Sequence, residues 1–232
     1  MYAVLQSINK PNINIITIED PIEYQIDGIS QIQVNPKIEL TFARGLRSIV
    51  RQDPDVILVG EIRDRETADI AVQSALTGHL VFSTLQTNDS ASAITRLVDI
   101  GVEPFLISSS VLAVVAQRLV RVLCDECKTN YRPSDIYLKS IGVAPQRFNQ
   151  NNIYKAVGCE NCIQTGYRGR LAIFEIMLMT DRIKSLILST FDSNRIKNEA
   201  LQDKMISLRY DGLKKVLDGV TTIEEVLRVT QK

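Results

Sequence analysis

RQDPDVILVGEIRD, residues 51–64, decides how the rest of the chain is read. Val56, Ile57, Leu58 and Val59 form an unbroken apolar run rich in β-branched residues. Asp53-Pro54 leads in and Gly60 closes it. Such a run between turn residues predicts a strand buried on both faces of a parallel sheet. Glu61 then falls where the strand ends. Ligands of open α/β sheets bind beyond the carboxyl ends of the strands. A carboxylate there can hold a metal-bound water or act as a base towards it. The alternative is a glutamate capping the next helix.

Working outward, Ile13–Ile18 predicts a second strand, ending in Glu19-Asp20-Pro21 with Glu23 just beyond. A polar Asp-Pro turn would look the same. Leu80–Thr84 predicts a third strand, followed by the polar string Ser83–Asp89. His79, the single histidine of the chain, precedes that strand. A lone histidine is usually packed or solvated, but its place near the strand ends makes it a candidate base or ligand.

Helices are expected over Met1–Asn9, Thr41–Gln52, Arg65–Thr77 and Ser90–Ile100. Thr41 and Asp64 serve as N-caps, and Gly78 and Gly101 as stops. Arg44, Arg47 and Arg51 share one helix face, either a solvated basic face or a patch for phosphate or a neighbouring subunit. Ile26–Val34 is expected as an antiparallel excursion turning at Asp27-Gly28, and Pro104–Leu123 as one long apolar buried helix. Three strands separated mostly by helices give a RecA-like or Rossmann-like α/β pattern. The strand and loop that normally precede a first helix are not in the sequence.

The chain has 232 residues, with 27 Lys plus Arg against 27 Asp plus Glu. Zero net charge argues against a protein built to bind nucleic acid. The uncharged stretch Pro104–Gln117 is shorter than the roughly 20 residues of a membrane span, so no transmembrane segment is expected. The first residues carry no secretory signal pattern. Cys124 with Cys127 and Cys159 with Cys162 form two C-x2-C clips, the donor set of a structural tetrahedral Zn2+ in a reducing compartment. A redox pair is the alternative. Beyond the cysteines, Gly166–Met177 returns to strand, and helices are expected over 180–190, 193–205, 207–217 and 223–229 as an all-α cap. Thr222 and Glu225 have the spacing of a capping box for the last.

These stretches together resemble the secretion and pilus-assembly ATPases of the GspE/PulE/PilB type. The motifs are TIEDPIE (Thr17–Glu23), RQDPDVILVGEIRD, TGHLVFSTLQTNDS (Thr77–Ser90), AQRLVRVLC (Ala116–Cys124), GYRGR (Gly166–Arg170) and the ending from Leu208 to Thr230. They follow the family's order and span nearly the whole chain. The resemblance implies a RecA-like P-loop NTPase core, with Glu19 and Glu23 near ATP and its Mg2+. Glu61 would polarise the attacking water, with Gly60 in place of the usual Walker B aspartate. His79 would belong to the histidine box, and the four cysteines to a zinc subdomain. It further implies a cytoplasmic homo-hexamer, peripheral at the inner membrane, that acts on a membrane platform protein to assemble pseudopilins or pilins.

The sequence departs from the family twice. No G-x-x-x-x-G-K-[ST] occurs in it, and Met1–Leu5 matches the helix directly after that P-loop, so the isolated chain is expected to turn over little or no ATP. Gln86 stands where the second histidine of the histidine box is usual. The expected organisation is a partial ATPase core over 1–123, a tetracysteine subdomain over 124–165, and a strand with a helical subdomain over 166–232. A zinc-stapled interaction module that docks on family hexamers is the non-enzymatic alternative.

Overall fold

The computed structural model describes residues 1–148 and 153–231. Residues 149–152 of the loop expected between the cysteine clips lie outside the described residues, as does Lys232. In chain order the helices are α1 (Tyr2–Ile8), α2 (Phe42–Ile49), α3 (Arg65–Leu76), α4 (Ser90–Ile100), α5 (Pro104–Ser110), α6 (Asp135–Ser140), α7 (Asp181–Ile187), α8 (Ser193–Gln202), α9 (Leu208–Leu217) and α10 (Ile223–Thr230). The strands are β1 (Ile15–Glu19), β2 (Ser30–Gln33), β3 (Val56–Val59), β4 (Leu80–Ser83), β5 (Ala113–Leu123), β6 (Thr129–Tyr131), β7 (Ile153–Lys155) and β8 (Tyr167–Leu178). The chain divides into two compact units, residues 1–114 with 178–200, and 115–177 with 201–232.

The first unit is built on a parallel sheet of order β2-β1-β3-β4. Every residue of β1 and β3 is buried, as the apolar runs predict for central strands. The register pairs Ile16 with Ile57 and Ile18 with Val59. Side chains alternate across the sheet. Ile16, Ile18, Ile57 and Val59 therefore pack with Leu46 and Ile49 of α2 and Ala71 of α3. Ile15, Val56 and Leu58 face the other way, onto Leu5 of α1. The expected caps form: Thr41 Oγ1 accepts from Arg44 N–H, and Asp64 Oδ1 from Thr67 N–H. Asp89 caps α4 and holds Lys197 of α8 at 2.8 Å.

Two expectations are corrected in this unit. Ser30–Gln33 is not half of an antiparallel hairpin but a parallel edge strand beside β1, with Ile16 opposite Ser30. The connection 20–29 is long enough to bring the chain back to the start of the sheet before β2 begins. The turn at Gly28 (φ +80°) belongs to that return. The expected helix Pro104–Leu123 is instead the short helix α5 followed by an extended β5, with Val111 already extended. Val111, Val114, Val115, Val120 and Val122 favour a strand once a partner is available, because β-branching restricts χ1 in a helix.

The second unit pairs β5 with β8, and β6 with β7 in antiparallel register. Val120, Leu138, Ile153, Ile173, Val216 and Val226 anchor its core. Polar groups occupy the outer edges of the β5–β8 ribbon. Phe174 N–H donates to Asp211, Leu123 N–H to the Val220 carbonyl, and Arg121 N–H to Glu225. Filling edge donors in this way blocks further strand addition. The C-terminal helices expected as one cap are divided: α7 and most of α8 lie in the first unit, α9 and α10 in the second.

Glu225 shows only half of the expected capping box. Its N–H donates to Thr222 Oγ1 at 3.2 Å, but its side chain turns to Arg121 (2.5 Å) and Arg228 (2.9 Å). Arg121 in turn stacks over the Tyr167 ring, 4.1 Å from its centroid. Glu225 is 1% exposed. Burial opposes its ionisation, but the bonds from Arg228 and Arg121 outweigh it and hold the carboxyl at about 2. A depressed folded pKa stabilises above the unfolded value of about 4.3, and this stabilisation is lost as pH falls towards 2. Glu225→Gln is expected to lower unfolding free energy at pH 7 by about 2 kcal/mol. Urea titrations between pH 2 and 7 should show the wild-type loss across that window reduced in the variant.

Candidate functional site

In a parallel sheet all carboxyl ends share one edge, so the register decides which polar groups meet. Ile18 pairs with Val59, and Val59 with Ser83. Glu19, the Gly60-Glu61 pair and Thr84 therefore follow one another across that edge. The strands are stitched beyond the ladder: Gly60 N–H donates to the Ile18 carbonyl at 2.8 Å, and Thr84 Oγ1 to the Gly60 carbonyl at 2.6 Å. A Cβ at position 60 would lie 3.3 Å from both Glu19 Cα and the Ile18 carbonyl oxygen, so an aspartate there would press on β1. Ser83 Oγ, at the end of β4, is buried with no hydrogen-bond partner among the described residues. Such an orphan is a polar atom left for water or a ligand to satisfy.

Glu19 is 5% exposed and surrounded by neutral donors. Thr17 Oγ1 (2.5 Å) and Gln31 Nε2 (3.1 Å) donate to Oε1, and the Tyr2 hydroxyl donates to Oε2. The alternation of β1 accounts for this: Thr17 and Glu19 share the face of Ile15, the face that α1 covers. Tyr2 Oη also accepts from Glu23 N–H at 3.2 Å, and its ring packs edge-on against Tyr24. Burial, then the bond to Glu19, raises the Tyr2 phenol above its usual value. Sequence reading missed Tyr2, Thr17 and Gln31. Only the i, i+2 spacing of Thr17 and Glu19 on a strand was available as a signal.

Glu61 is half-buried; Arg63 Nη2 meets its Oε1 at 2.5 Å and Gln86 Nε2 its Oε2 at 3.5 Å. Glu23 is exposed beside the same edge, with its backbone tied to Tyr2. His79 is not brought to this group. It stands before Leu80, which pairs with Val56 at the opposite end of the sheet. There its Nδ1 lies 2.9 Å from the Ser74 carbonyl and 3.2 Å from Thr77 Oγ1. The arginines expected on one helix face are divided: in α2 Arg44 meets Glu39 at 3.6 Å and Arg47 meets Glu66 at 2.5 Å, while Arg51 lies beyond the end of the helix and is exposed.

The second unit holds the cysteine cluster. The four sulfurs of Cys124, Cys127, Cys159 and Cys162 lie within 4.8 Å of one another, an arrangement that could hold a metal ion. Three of the separations are 3.9, 3.8 and 3.7 Å. A tetrahedron with Zn–S bonds of about 2.3 Å has edges of about 3.8 Å, so the thiols fit that ion. Backbone N–H groups point at the sulfurs: Gly158 at Cys127 (3.4 Å), and Cys159 (3.2 Å) and Gly166 (3.1 Å) at Cys162. Burial opposes ionisation of Cys162, but these donors bring its thiol down to about 6. The clip closes through Ile163 and Gln164, both left-handed (φ +52° and +59°), which lets Gln164 N–H reach the Cys159 carbonyl at 2.8 Å.

The Type II/IV secretion system protein family model matches residues 1–228. The chain is 55% identical, over its whole length, to the type II secretion system protein E of Pseudomonas aeruginosa, covering 46% of that protein. It is 51% identical over 99% of its length to the type IV pilus assembly ATPase PilB of Thermus thermophilus, covering 26% of it. The chain thus spans less than half the length of these curated relatives. Among solved structures, the pilus retraction motor PilT with bound ADP is similar over the whole chain and 57% of PilT, with TM-score 0.70 and 27% identity. The ATPase DotB of Legionella pneumophila shares the fold, with TM-score 0.65, 20% identity, and coverage of 97% of this chain and 54% of DotB. A match across nearly every residue places the chain in the Type II/IV secretion system protein family, among the relatives of the GspE and PilB ATPases.

Proposed function

We propose that the chain is the C-terminal part of a RecA-like traffic ATPase that couples ATP binding and hydrolysis to pseudopilin or pilin assembly. The observation that carries this reading is the pair Glu19 and Glu61, on adjacent parallel strands at the edge where such sheets bind nucleotides. Bound Mg2+·ATP would supply the phosphoryl group and the cationic charge that eases its transfer. Glu61 orients the attacking water and accepts its proton. Glu23 on the tied loop would offer a carboxylate to the cation, and Glu19 would do so on release from Tyr2, Thr17 and Gln31. His79 is left out of this assignment because of its place at the far edge. Arg44, Arg47 and Arg51 are assigned to phosphate or to a neighbouring subunit, which requires the Glu39 and Glu66 pairs to open.

Zn2+ is the metal we assign to the cysteines, with a structural role, since four thiolates leave no open coordination position. The same reading carries a cytoplasmic homo-hexamer working at the inner membrane on a platform protein. The ending EEVLRVT and the stretch VVAQRLVR lean towards type II secretion by resemblance, while identities of 55% to a type II secretion system protein E and 51% to a pilus assembly ATPase fit either system. No helix of the described residues is long and apolar enough to cross a membrane.

Measurements of size, activity and metal content test this. The native product, detected in its own cells with an antibody to the C-terminal helices, is expected to exceed 26.0 kDa and to hydrolyse ATP with Mg2+. Glu61→Gln should lower its kcat by at least about 100-fold. The 232-residue chain alone is expected to show little or no turnover; Mg2+-dependent hydrolysis by the pure chain, abolished by Glu61→Gln, would contradict that. Metal analysis of chain prepared without chelator should give one zinc per molecule. Cys162→Ser should lose it and lower the Tm, and a wild-type preparation without metal would remove the assignment.

A further inference from the structure

The segments after β3 and β4 run side by side. Ile62 N–H donates to the Thr84 carbonyl at 3.0 Å, and Thr84 Oγ1 donates to the Gly60 carbonyl at 2.6 Å. These bonds carry Gln86 to Glu61, where its amide nitrogen lies 3.5 Å from Oε2 while Arg63 takes Oε1. The two carboxylate oxygens are thus met from different segments. Among the described residues, Asp20 also acts on Arg63, and the backbone of Glu19, at the end of β1, lies against Gly60. An amide N–H donates at every pH, whereas an imidazole changes charge between about pH 5 and 8.

We propose that Gln86 is a positioning residue: its amide orients the Glu61 carboxylate opposite Arg63, and it does so without titrating. This rests on the role proposed for Glu61, but the contact itself can be tested separately.

The test is a proton-NMR titration of the Gln86→His chain, in which His79 is the only other histidine and serves as an internal reference. An imidazole beside a carboxylate gains a favourable charge partner. The introduced ring is expected to titrate about one unit higher than in the Gln86→His, Glu61→Gln double variant. The His79 titration should be the same in both and report an intact fold. Identical titration of the introduced ring in the two backgrounds overturns the proposal. In the native product, kcat of the Gln86→His variant should acquire a limb at the pH where the introduced ring titrates, with KM little changed, while wild type shows none there. A variant whose kcat follows pH as wild type does also overturns the positioning role. Absence of turnover in every protein would count against the reading of Glu61, and the NMR titration would still decide the contact.

Discussion

The parallel register of β1 and β3 is the constraint on which the candidate site depends. Both strands are buried along their whole length, so a slip of one residue would exchange the α1 face for the α2–α3 face. With the register fixed, Glu19 must lie beside Gly60, and Gly60 must stay small. The same constraint orders the rest of the edge. Parallel strands end together, so Glu19, Glu61 and Thr84 converge, and a residue that precedes a strand is carried to the far side. His79 is separated from the two glutamates by the length of β4, although it sits close to Gln86 in sequence.

The second unit is held by different physics. Its apolar core is joined by two polar centres, each occupied by buried groups with matching partners. Around Glu225, one carboxylate satisfies two guanidinium groups and a strand-edge N–H, which ties α10 to β5. Around the cysteines, sulfur and backbone N–H replace apolar contact. Buried charge of this kind is tolerated because each charged atom meets donors. A left-handed Ile163, costly for a β-branched side chain, is retained where the clip needs that turn.

Much of this was legible in the residues themselves. The run Val56–Val59, the caps Thr41 and Asp64, and the two C-x2-C clips each express a local rule, and each was found in place. The run from Pro104 to Leu123 was not legible, because an apolar stretch without strict periodicity fits a buried helix or a strand equally well. Its β-branched valines become decisive only when β8, more than forty residues further on, supplies the partner. The direction of β2 was equally hidden, since a turn at Gly28 is compatible with either a hairpin or a return.

The sequence by itself determined the family motifs, the carboxylates at two strand ends and the four-thiol donor set, because these depend on residue type and short spacing. Tertiary structure alone decided which of these groups meet. Tyr2 and Gln31 reach Glu19 across 17 and 12 residues of chain, and Gln86 reaches Glu61 across 25. Such meetings depend on register and on which face a helix covers. Both are set by burial over the whole sheet and cannot be read from one segment.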